Sequence, residues 1–306
     1  MSTADRAVTD HLREAPAGEV LRGLAEFAGP GRLLEVVDVG ASPLVGEPAV
    51  YLPLVDAGLA RLTAFEPDPE ALAVLATLRE DSAGLHRHLG HAVGDGGEHS
   101  LRQCAAAGFS SLLEPDPTQL AVLTDFTELA AVTGRSAVTT VRLDDLAEVE
   151  RADLLALDVQ GAEPAVLDGA QRVLATSFAV QVEMAFHRLY VEGPTFVDVD
   201  TRLRAAGLVP HCFVTTRTWP LAPVTWDDPL EPSARHLVEA DLLYIRDPAR
   251  LADVPEDVLR AGVLLAAVYG QLGASLVAVR ELARRELLPR DAEQTFRALV
   301  TPAGRP

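Results

Sequence analysis

The chain contains little cysteine, and this limits the chemistry that it can perform. Only Cys104 and Cys212 occur in 306 residues, and neither has a Cys or His companion at the spacing of a metal site. His211 directly precedes Cys212, but neighbouring side chains in a strand point to opposite faces and cannot chelate one ion. The sequence therefore predicts two reduced thiols in a cytosolic protein.

Lysine is absent, and positive charge is scarce. All 26 basic residues are arginine, against 45 acidic residues, which gives a formal net charge of −19. Binding to a nucleic-acid backbone needs clustered positive charge, so we expect no nucleic-acid partner. The N-terminal residues have no apolar core of a secretory signal, which favours a cytoplasmic protein.

Long apolar segments are also few. Residues 261–279 carry no charge and are long enough to span a bilayer, but Ala and Gly dominate them and Gln271 and Ser275 lie near their middle. Turn signals at Gly270 and Gly273 favour two packed helices. We expect no membrane span there, and we consider these C-terminal helices a candidate homodimer interface.

The pattern that is present indicates an α/β protein. Hydrophobic residues make up 48% of the chain, and strand-like segments alternate with helix-like ones. The apolar run at 154–157 is typical of a strand buried on both faces in a parallel sheet. We predict a helical lead-in at 1–29, one α/β domain at 30–247 and a helical C-terminal extension at 248–306. Strands are predicted at 33–39, 61–65, 85–93, 138–142, 154–157, 178–184, 207–214 and 239–246.

The segments between these strands are predicted to be helices and loops. Helices are expected from Pro69, from Pro164 and at 196–206. An irregular insertion at 98–140 carries one further helix at 118–131, and a loop at 215–239 separates the last two strands.

Carboxylates follow the buried strand at 154–157. Asp158 ends the apolar run, and a short turn through Gly161 leads to Glu163. The carboxyl edge of a central strand is where open α/β sheets bind their ligands. The sequence therefore predicts a site at this edge.

Two further signals come from the first two strands. The first strand ends in DVGAS, where Gly40 allows close approach of the backbone to a ligand, but the G-x-G-x-x-G pattern of a dinucleotide cradle is missing. Glu66 follows the second strand, where an acid can accept hydrogen bonds from both hydroxyls of a ribose. A ribose-binding acid without a phosphate cradle fits a nucleoside cofactor that lacks phosphates, such as S-adenosylmethionine.

The chain resembles the FkbM-type methyltransferases over residues 33–246. The resemblance is most specific at LDVQGAEPAVLDGA and VRLDDL. It implies an α/β fold with a Rossmann-like class I methyltransferase sheet, mostly parallel and of about seven strands, and an S-adenosylmethionine-dependent activity, typically on oxygen in sugars or natural products. The shared segments are, in order, VVDVGAS, AFEPDPEAL, HAVGDGG, GFSSLLEP, VRLDDL, LLALDVQGAEPAVLDGA and VQVEMAFHRLYVEGPTF.

The resemblance also implies which residues hold the cofactor, in three groups. Those near the methionine part are Asp38, Gly40, Ala41 and Ser42; those at the ribose are Glu66, Pro67 and Asp68; and those near the adenine are Ala92, Val93 and Gly94.

The candidate catalytic residues lie after two strands. Asp158 is the first choice for a side chain beside the methyl group or the acceptor hydroxyl, while Glu183 and His187 follow the next strand. His187 is a natural base by its pKa, although a structural role is an open alternative. Glu163 is interpreted mainly as a helix N-terminal carboxylate. Asp158, Glu163 and Glu183 also form a candidate Mg²⁺ site, which the spacing does not establish.

The acceptor side is less well defined. Ser110, Ser111, Gln160 and Tyr190 are the candidate substrate-binding residues, with packing roles as the alternative. We expect a small-molecule acceptor, most simply a hydroxyl of a sugar or natural product. The alternatives are a nicotinamide-dependent oxidoreductase, disfavoured by the missing glycine pattern, and a non-catalytic binding or assembly protein on the same fold.

Overall fold

The computed structural model describes residues 8–10, 18–41, 48–78 and 84–301. Its strands are β1 (Val8–Asp10), β2 (Leu34–Val39), β3 (Ala60–Phe65), β4 (His86–Leu89), β5 (Ala92–Val93), β6 (Glu98–Cys104), β7 (Val132–Val141), β8 (Leu154–Leu157), β9 (Ala179–Ala185), β10 (Leu208–Pro220) and β11 (Arg235–Arg246). Its α-helices are α1 (Gly18–Ala28), α2 (Leu52–Asp56), α3 (Pro69–Leu78), α4 (Pro117–Leu120), α5 (Phe126–Leu129), α6 (Glu163–Asp168), α7 (Gln171–Thr176), α8 (Phe196–Ala205), α9 (Glu256–Val268), α10 (Leu272–Arg284) and α11 (Ala292–Val300).

An eight-stranded sheet forms the centre of the molecule, in the order β1-β10-β11-β9-β8-β2-β3-β4. Strands β4, β3, β2, β8 and β9 run parallel to one another. Strand β11 is antiparallel to both of its neighbours. Without the short β1, this is the mostly parallel, seven-stranded class I methyltransferase sheet that the sequence predicted, and the fold class is confirmed.

The two faces of the sheet have separate cores, as alternation along a strand requires. In β8, Leu154 and Ala156 contribute to the core shared with α1, α9 and α10. Leu155 and Leu157 contribute to the opposite core, shared with α6, α7 and α8. Helices on both faces explain why every residue of β8 is buried. Position 158 continues the alternation towards the α9 side.

The C-terminal segment forms helices that pack onto the domain. Helices α9 and α10 are joined by a turn in which Gly270 has a φ of +69°. No helix in the described ranges is long and apolar enough to cross a membrane. Residues 258–269 are almost fully buried in this protomer, so α9 has little apolar surface left for a partner. The homodimer stays a prediction, and its interface would have to use other residues.

The insertion differs from the sequence-based expectation. Strands β6 and β7 form an antiparallel ribbon, and β5 adds to it in parallel. The single helix expected at 118–131 is wrong, because the structure has two separate helical turns, α4 and α5. The strand expected at 138–142 begins earlier, because cross-strand pairing with β6 satisfies the backbone of residues 132–137 as well.

The loop expected at 215–239 is also too long. Strand β10 continues to Pro220 and β11 already begins at Arg235, so the pair extends well beyond the body of the sheet. Three register shifts interrupt their pairing. The alternation of apolar and polar residues in the sequence does not reveal such irregularities. The expected loop residues therefore form paired strands.

Three smaller boundaries differ as well. The strand expected at 85–93 is divided into β4 and β5, which belong to different sheets. The helix expected after Pro164 is broken at Gly169, where a Cβ would lie 2.8 Å from the Gly94 carbonyl oxygen. The lead-in contains the expected helix as α1, but residues 8–10 pair with β10 as a strand.

Candidate active site

The first strand turn and the end of β8 are in direct contact. Gly40 has a φ of +89°, and a Cβ placed on it would lie 1.8 Å from the Asp158 carbonyl oxygen. The Asp158 amide donates to the Val39 carbonyl at 3.0 Å, and the Gly40 and Ala41 amides both donate to the Phe65 carbonyl at 3.1 Å. Glycine is required here by both conformation and space. The turn therefore fixes Asp158 beside the ends of β2 and β3.

Asp38 lies in the same turn, and its carboxylate is held by a tyrosine. The Tyr51 hydroxyl donates a short hydrogen bond to Asp38 Oδ2. Burial raises the pKa of Asp38 to about 6, although the Tyr51 hydrogen bond opposes this shift and the nearby Asp158 adds to it. Because burial makes ionisation of this carboxyl group costly, a positively charged ligand beside it would be favourable. Ser42, predicted for the same group, lies outside the described residues.

Glu66 lies at the end of β3 and is almost fully buried. Its Oε1 accepts a hydrogen bond from the Asp68 amide at 2.8 Å, and burial raises the pKa of its carboxyl. Within the described ranges, Oε2 has no protein donor. Asp68 caps α3, because its Oδ1 accepts from the Glu70 and Ala71 amides at 2.9 and 2.8 Å. Asp68 and Pro67 thus shape the turn around Glu66.

The residues predicted for the adenine side form a short strand end. Ala92 and Val93 make up β5, and the Gly94 amide donates to the Val141 carbonyl at 2.9 Å. A Cβ on Gly94 would come within 3.0 Å of Thr140, so the ribbon packs tightly against this turn. This strand end borders a cleft lined also by Asp95 and His99.

A glutamine amide links the ends of β8 and β9. Gln160 Nε2 donates to Asp158 Oδ1 at 2.8 Å and to Glu183 Oε1 at 2.9 Å. The structure therefore brings together two of the three predicted catalytic residues. Asp158 remains exposed to solvent, whereas Glu183 is 7% exposed.

Three residues of this cluster were not predicted from the sequence. Arg217 on β10 donates to Glu183 Oε2 at 2.9 Å and to Glu239 Oε1 at 3.1 Å, and it lies 3.7 Å from Asp241 Oδ2. The register pairs Asp241 with Glu183 and Glu239 with Arg217, so all four side chains share one face. The available signal was the alternation of Glu239 and Asp241 in an otherwise apolar strand.

The cluster contains four carboxylates and one guanidinium, and its electrostatics follow from that imbalance. Burial raises the pKa of Glu239 to about 7 and holds that of Glu183 well above its ordinary value. Asp158 is in contact with solvent, but surrounding protein still reduces its hydration; this and the charge of Asp241 raise its pKa. Hydrogen bonding to Gln160 and the charge of Arg217 oppose that rise.

Glu163 lines the same small cavity as Glu183 and Glu239, but its hydrogen bonds go to its own turn. Its carboxylate accepts from the Val159 amide at 3.1 Å and from the Gly161 amide at 3.1 and 3.2 Å, so it closes the turn that begins α6. Burial raises its pKa to about 7. This arrangement supports the structural interpretation of Glu163. In the described part of the chain, no group of three or more His, Cys, Asp or Glu side chains is arranged to hold a metal ion.

His187 is not brought into the cluster. Its Nε2 lies 3.1 Å from the Gln119 carbonyl oxygen, and its ring packs edge-on against His236 at 5.2 Å. Among the described residues, no hydrogen bond joins it to Asp158 or Glu183. Its geometry favours the structural alternative over a role as base.

Two of the predicted substrate-binding residues, Ser111 and Tyr190, support the Gln160 turn. Ser111 Oγ donates to the Gln160 carbonyl at 2.5 Å, and the Tyr190 hydroxyl is 3.2 Å from Gln160 Oε1. Ser110 Oγ instead accepts from the Cys104 amide at 3.1 Å. A cavity opens beside Glu183, between Tyr190 and Glu239.

The fold and this carboxyl-edge site define a class I methyltransferase. The Methyltransferase FkbM domain model matches residues 38–209, which is more than half of the chain. The chain therefore belongs to the FkbM methyltransferase family and is S-adenosylmethionine-dependent. A search of the curated proteins finds no match.

Solved structures resemble this chain only at the level of the fold. One is the precorrin-6y C5,15-methyltransferase of Geobacter metallireducens, with 13% identity, 73% of this chain and 88% of that chain covered, and a TM-score of 0.33. The AdoMet complex of M. jannaschii TYW2 has 11% identity, coverages of 76% and 78%, and a TM-score of 0.32. The StiE O-MT has 8% identity, coverages of 83% and 79%, and a TM-score of 0.37. Similarity this low carries no argument about the reaction.

Proposed function

We propose that the protein transfers the methyl group of S-adenosylmethionine to a hydroxyl group of a small molecule. The observation that carries this proposal is the position of Asp158. Its backbone contacts the Gly40 turn, and its side chain is joined through Gln160 to Glu183 on the next strand. Asp158 therefore adjoins the turn expected to hold the cofactor, and Gln160 joins it to Glu183, which lines a small cavity at the end of the next strand.

The chemistry of the described side chains fits the cofactor. S-adenosylmethionine carries a sulfonium and an ammonium group, and Asp38 and Asp158 offer carboxylates at the turn. Glu66 offers Oε2, which has no protein donor among the described residues, to a ribose hydroxyl, as an acid after the second strand does in nucleotide-binding α/β folds. Gly40 and Ala41 would lie along the methionine part, and Ala92, Val93 and Gly94 near the adenine.

The bound cofactor supplies a methyl group attached to positively charged sulfur. The protein has to orient the acceptor oxygen and take its proton. Gln160 occupies Asp158 Oδ1, which leaves Oδ2 free of protein donors among the described residues. We assign the acceptor hydroxyl proton to this oxygen. Reduced hydration and the charge of Asp241 raise the pKa of Asp158, which makes it a stronger base than an ordinary aspartate.

Glu183 and Glu239 line a small cavity with Tyr190. Because the neighbouring cluster has four carboxylates and one arginine, this part of the site disfavours acceptors that carry a phosphate or carboxylate. We therefore propose a neutral or cationic alcohol, such as a sugar or a natural-product hydroxyl. Metal participation does not enter this proposal.

Isothermal titration calorimetry tests the cofactor. We expect submillimolar binding of S-adenosylmethionine and S-adenosylhomocysteine, and none of NAD. Glu66→Gln should weaken both complexes about tenfold through loss of a charged hydrogen-bond acceptor. Glu70→Gln is the matched control, because Glu70 is exposed on the first turn of α3. Binding of NAD alone would support an oxidoreductase, and binding of none of the three a non-catalytic protein.

Mass spectrometry tests the acceptor. The protein and S-adenosylmethionine are incubated with neutral glycosides, aminoglycosides, uronic acids and sugar phosphates, and a mass increase of one methylene unit is sought. We expect it on neutral or amino-bearing alcohols. Methylation confined to the anionic acceptors, or to amines without hydroxyls, contradicts the proposed acceptor class.

A further inference from the structure

Gln160 has an unusual backbone conformation. Its φ is +51°, in the left-handed region that favours glycine, and Gly161 follows with a φ of +97°. A Cβ on Gly161 would lie 2.8 Å from Leu113 Cδ1, so the turn is closely packed. A residue other than glycine keeps this backbone conformation only where the surrounding structure enforces it, and such residues concentrate at functional sites.

The Gln160 side chain makes use of both of its amide N–H groups. One is directed to Asp158 Oδ1 at 2.8 Å and the other to Glu183 Oε1 at 2.9 Å. Its Oε1 accepts from the Tyr190 hydroxyl at 3.2 Å. No N–H group is left for a substrate, and this differs from the direct substrate-binding role expected from the sequence.

The Gln160 backbone is fixed from the insertion. Its carbonyl accepts the 2.5 Å hydrogen bond from Ser111 Oγ, and Ser111 is only 2% exposed. The Tyr190 hydroxyl also lies 3.2 Å from the Phe109 carbonyl oxygen. The segment before β7 therefore holds the carbonyl group of Gln160, and the segment after β9 holds its side-chain amide.

We propose that Gln160 is the positioning residue of the methyl-transfer site, holding Asp158 and Glu183 side by side as acceptors of one amide group. This inference rests on the proposed function. An amide has two N–H donors, so it stabilises two neighbouring ionised carboxylates that would otherwise repel each other. A glutamate at this position has no donor when ionised and adds a third negative charge. A methionine has similar length and no donor.

The groups that face the pair lie on several elements. Arg217 and Asp241 come from β10 and β11, Glu239 faces Arg217, and Asp38 lies at the end of β2. Arg217 supplies the only positive charge that the described residues bring to the pair. Of the two carboxylates in the pair, Arg217 hydrogen-bonds only to Glu183, at Oε2. The Asp158 carboxylate therefore receives its hydrogen bond from Gln160.

Calorimetry on the full chain tests the proposal with S-adenosylmethionine and S-adenosylhomocysteine. The two probes differ in the methyl group and in the positive charge on sulfur, so the ratio of their Kd values reports on charge beside the methyl group. Measurements run from about pH 5 to pH 9. The variants are Gln160→Glu and Gln160→Met. The control is Gln294→Glu, the same change on an exposed position of α11.

The proposal predicts a change in the pH dependence of binding as well as in affinity. With Gln160→Met, the ionised carboxylates lose donors, so the pH below which S-adenosylmethionine binding weakens should rise by about one unit. The ratio of the Kd of S-adenosylmethionine to that of S-adenosylhomocysteine should rise about tenfold at pH 6 and by less at pH 9. Gln160→Glu should raise that pH further, whereas Gln294→Glu should match the wild type.

A milder variant keeps the test decisive if these changes impair folding. Tyr190→Phe retains Gln160 and removes only the hydroxyl at its Oε1, and it should shift the pH dependence in the same direction by a smaller amount. If the wild type binds S-adenosylmethionine and folded variants show its pH dependence and Kd ratio unchanged, the positioning role is wrong and the proposed function stands. If the wild type does not bind it, both are wrong.

Discussion

The backbone of Asp158 occupies the space beside Gly40 in which any other residue would place its Cβ, at a separation of 1.8 Å. Gly40 also has a φ of +89°. The conformation of the turn after β2 is therefore fixed by its contact with the end of β8, independently of any ligand. The position of the proposed base depends on this contact, and we expect cofactor binding to depend on it as well.

Gly40→Ala should destabilise the protein and abolish cofactor binding. A positive φ costs an alanine about 1 kcal/mol, and the contact with the Asp158 backbone should raise the loss to about 3 kcal/mol or more. Urea unfolding at pH 7 measures it. Gly58→Ala is the control, because Gly58 has a φ of +73° with open space around it. Equal losses for the two variants would show that the contact contributes nothing.

Local motifs account for what the sequence could predict. Gly40, Glu66 and Asp158 each end a strand, and parallel strands bring their carboxyl ends to one edge, so their proximity follows from the strand pattern. The apolar run at 154–157 and the proline at 164 were sufficient to place the β8 turn. The family resemblance rests on the same local segments.

Long-range pairing accounts for what the sequence could not predict. Arg217, Glu239 and Asp241 reach the site only through the register of β10 on β11 and of β11 on β9. A shift of one residue would turn these side chains to the other face, and no local signal sets that register. The hydrogen bond that draws His187 towards Gln119 likewise depends on the packing of the insertion.

Asp38→Asn should stabilise the protein without its cofactor at high pH. The folded pKa of about 6 lies above the ordinary value of 3.8, so ionisation in the folded state costs free energy. This cost is absent below about pH 4, grows as the pH rises to about 6 and then stays constant. The variant should gain about 1 to 3 kcal/mol over the wild type at pH 8.

Urea unfolding at low and high pH measures this difference. Asp227→Asn removes an exposed charge in the loop between β10 and β11 and is the control. The variant should also bind S-adenosylmethionine about tenfold more weakly, because it lacks the carboxylate that we assign to the cofactor. Equal stability at all pH values, or unaltered binding, contradicts the assignment.

Cofactor binding should release protons near pH 6. Asp38, with a pKa of about 6, and Glu239, with a pKa of about 7, are partly protonated in the free protein. A cationic ligand favours their ionised forms and lowers both pKa values. Affinity for S-adenosylmethionine should therefore rise between about pH 5 and pH 7 and then level off.

Calorimetry in two buffers with different ionisation enthalpies detects this release. The apparent binding enthalpy should depend on the buffer at pH 6 and much less at pH 8.5. S-adenosylhomocysteine, which lacks the charge on sulfur, should release fewer protons than S-adenosylmethionine. A buffer-independent enthalpy at pH 6 would show that these carboxylates do not respond to the cofactor.

Arg217→Met should destabilise the protein at pH 8 and much less at pH 5. Arg217 is the guanidinium between Glu183 and Glu239, and its loss leaves buried carboxylates without a cation, at a cost of about 3 kcal/mol or more. Below the raised pKa values these groups take up protons and the cost falls.

Arg217→Met with Glu239→Gln should recover part of the loss, since one of the unpaired charges is gone. Arg280→Met, which breaks an exposed ion pair with Glu293, is the control and should have little effect on stability at either pH. A loss from Arg217→Met that is the same at pH 5 and pH 8 would assign the arginine a packing role instead of a role in balancing the charge of the site.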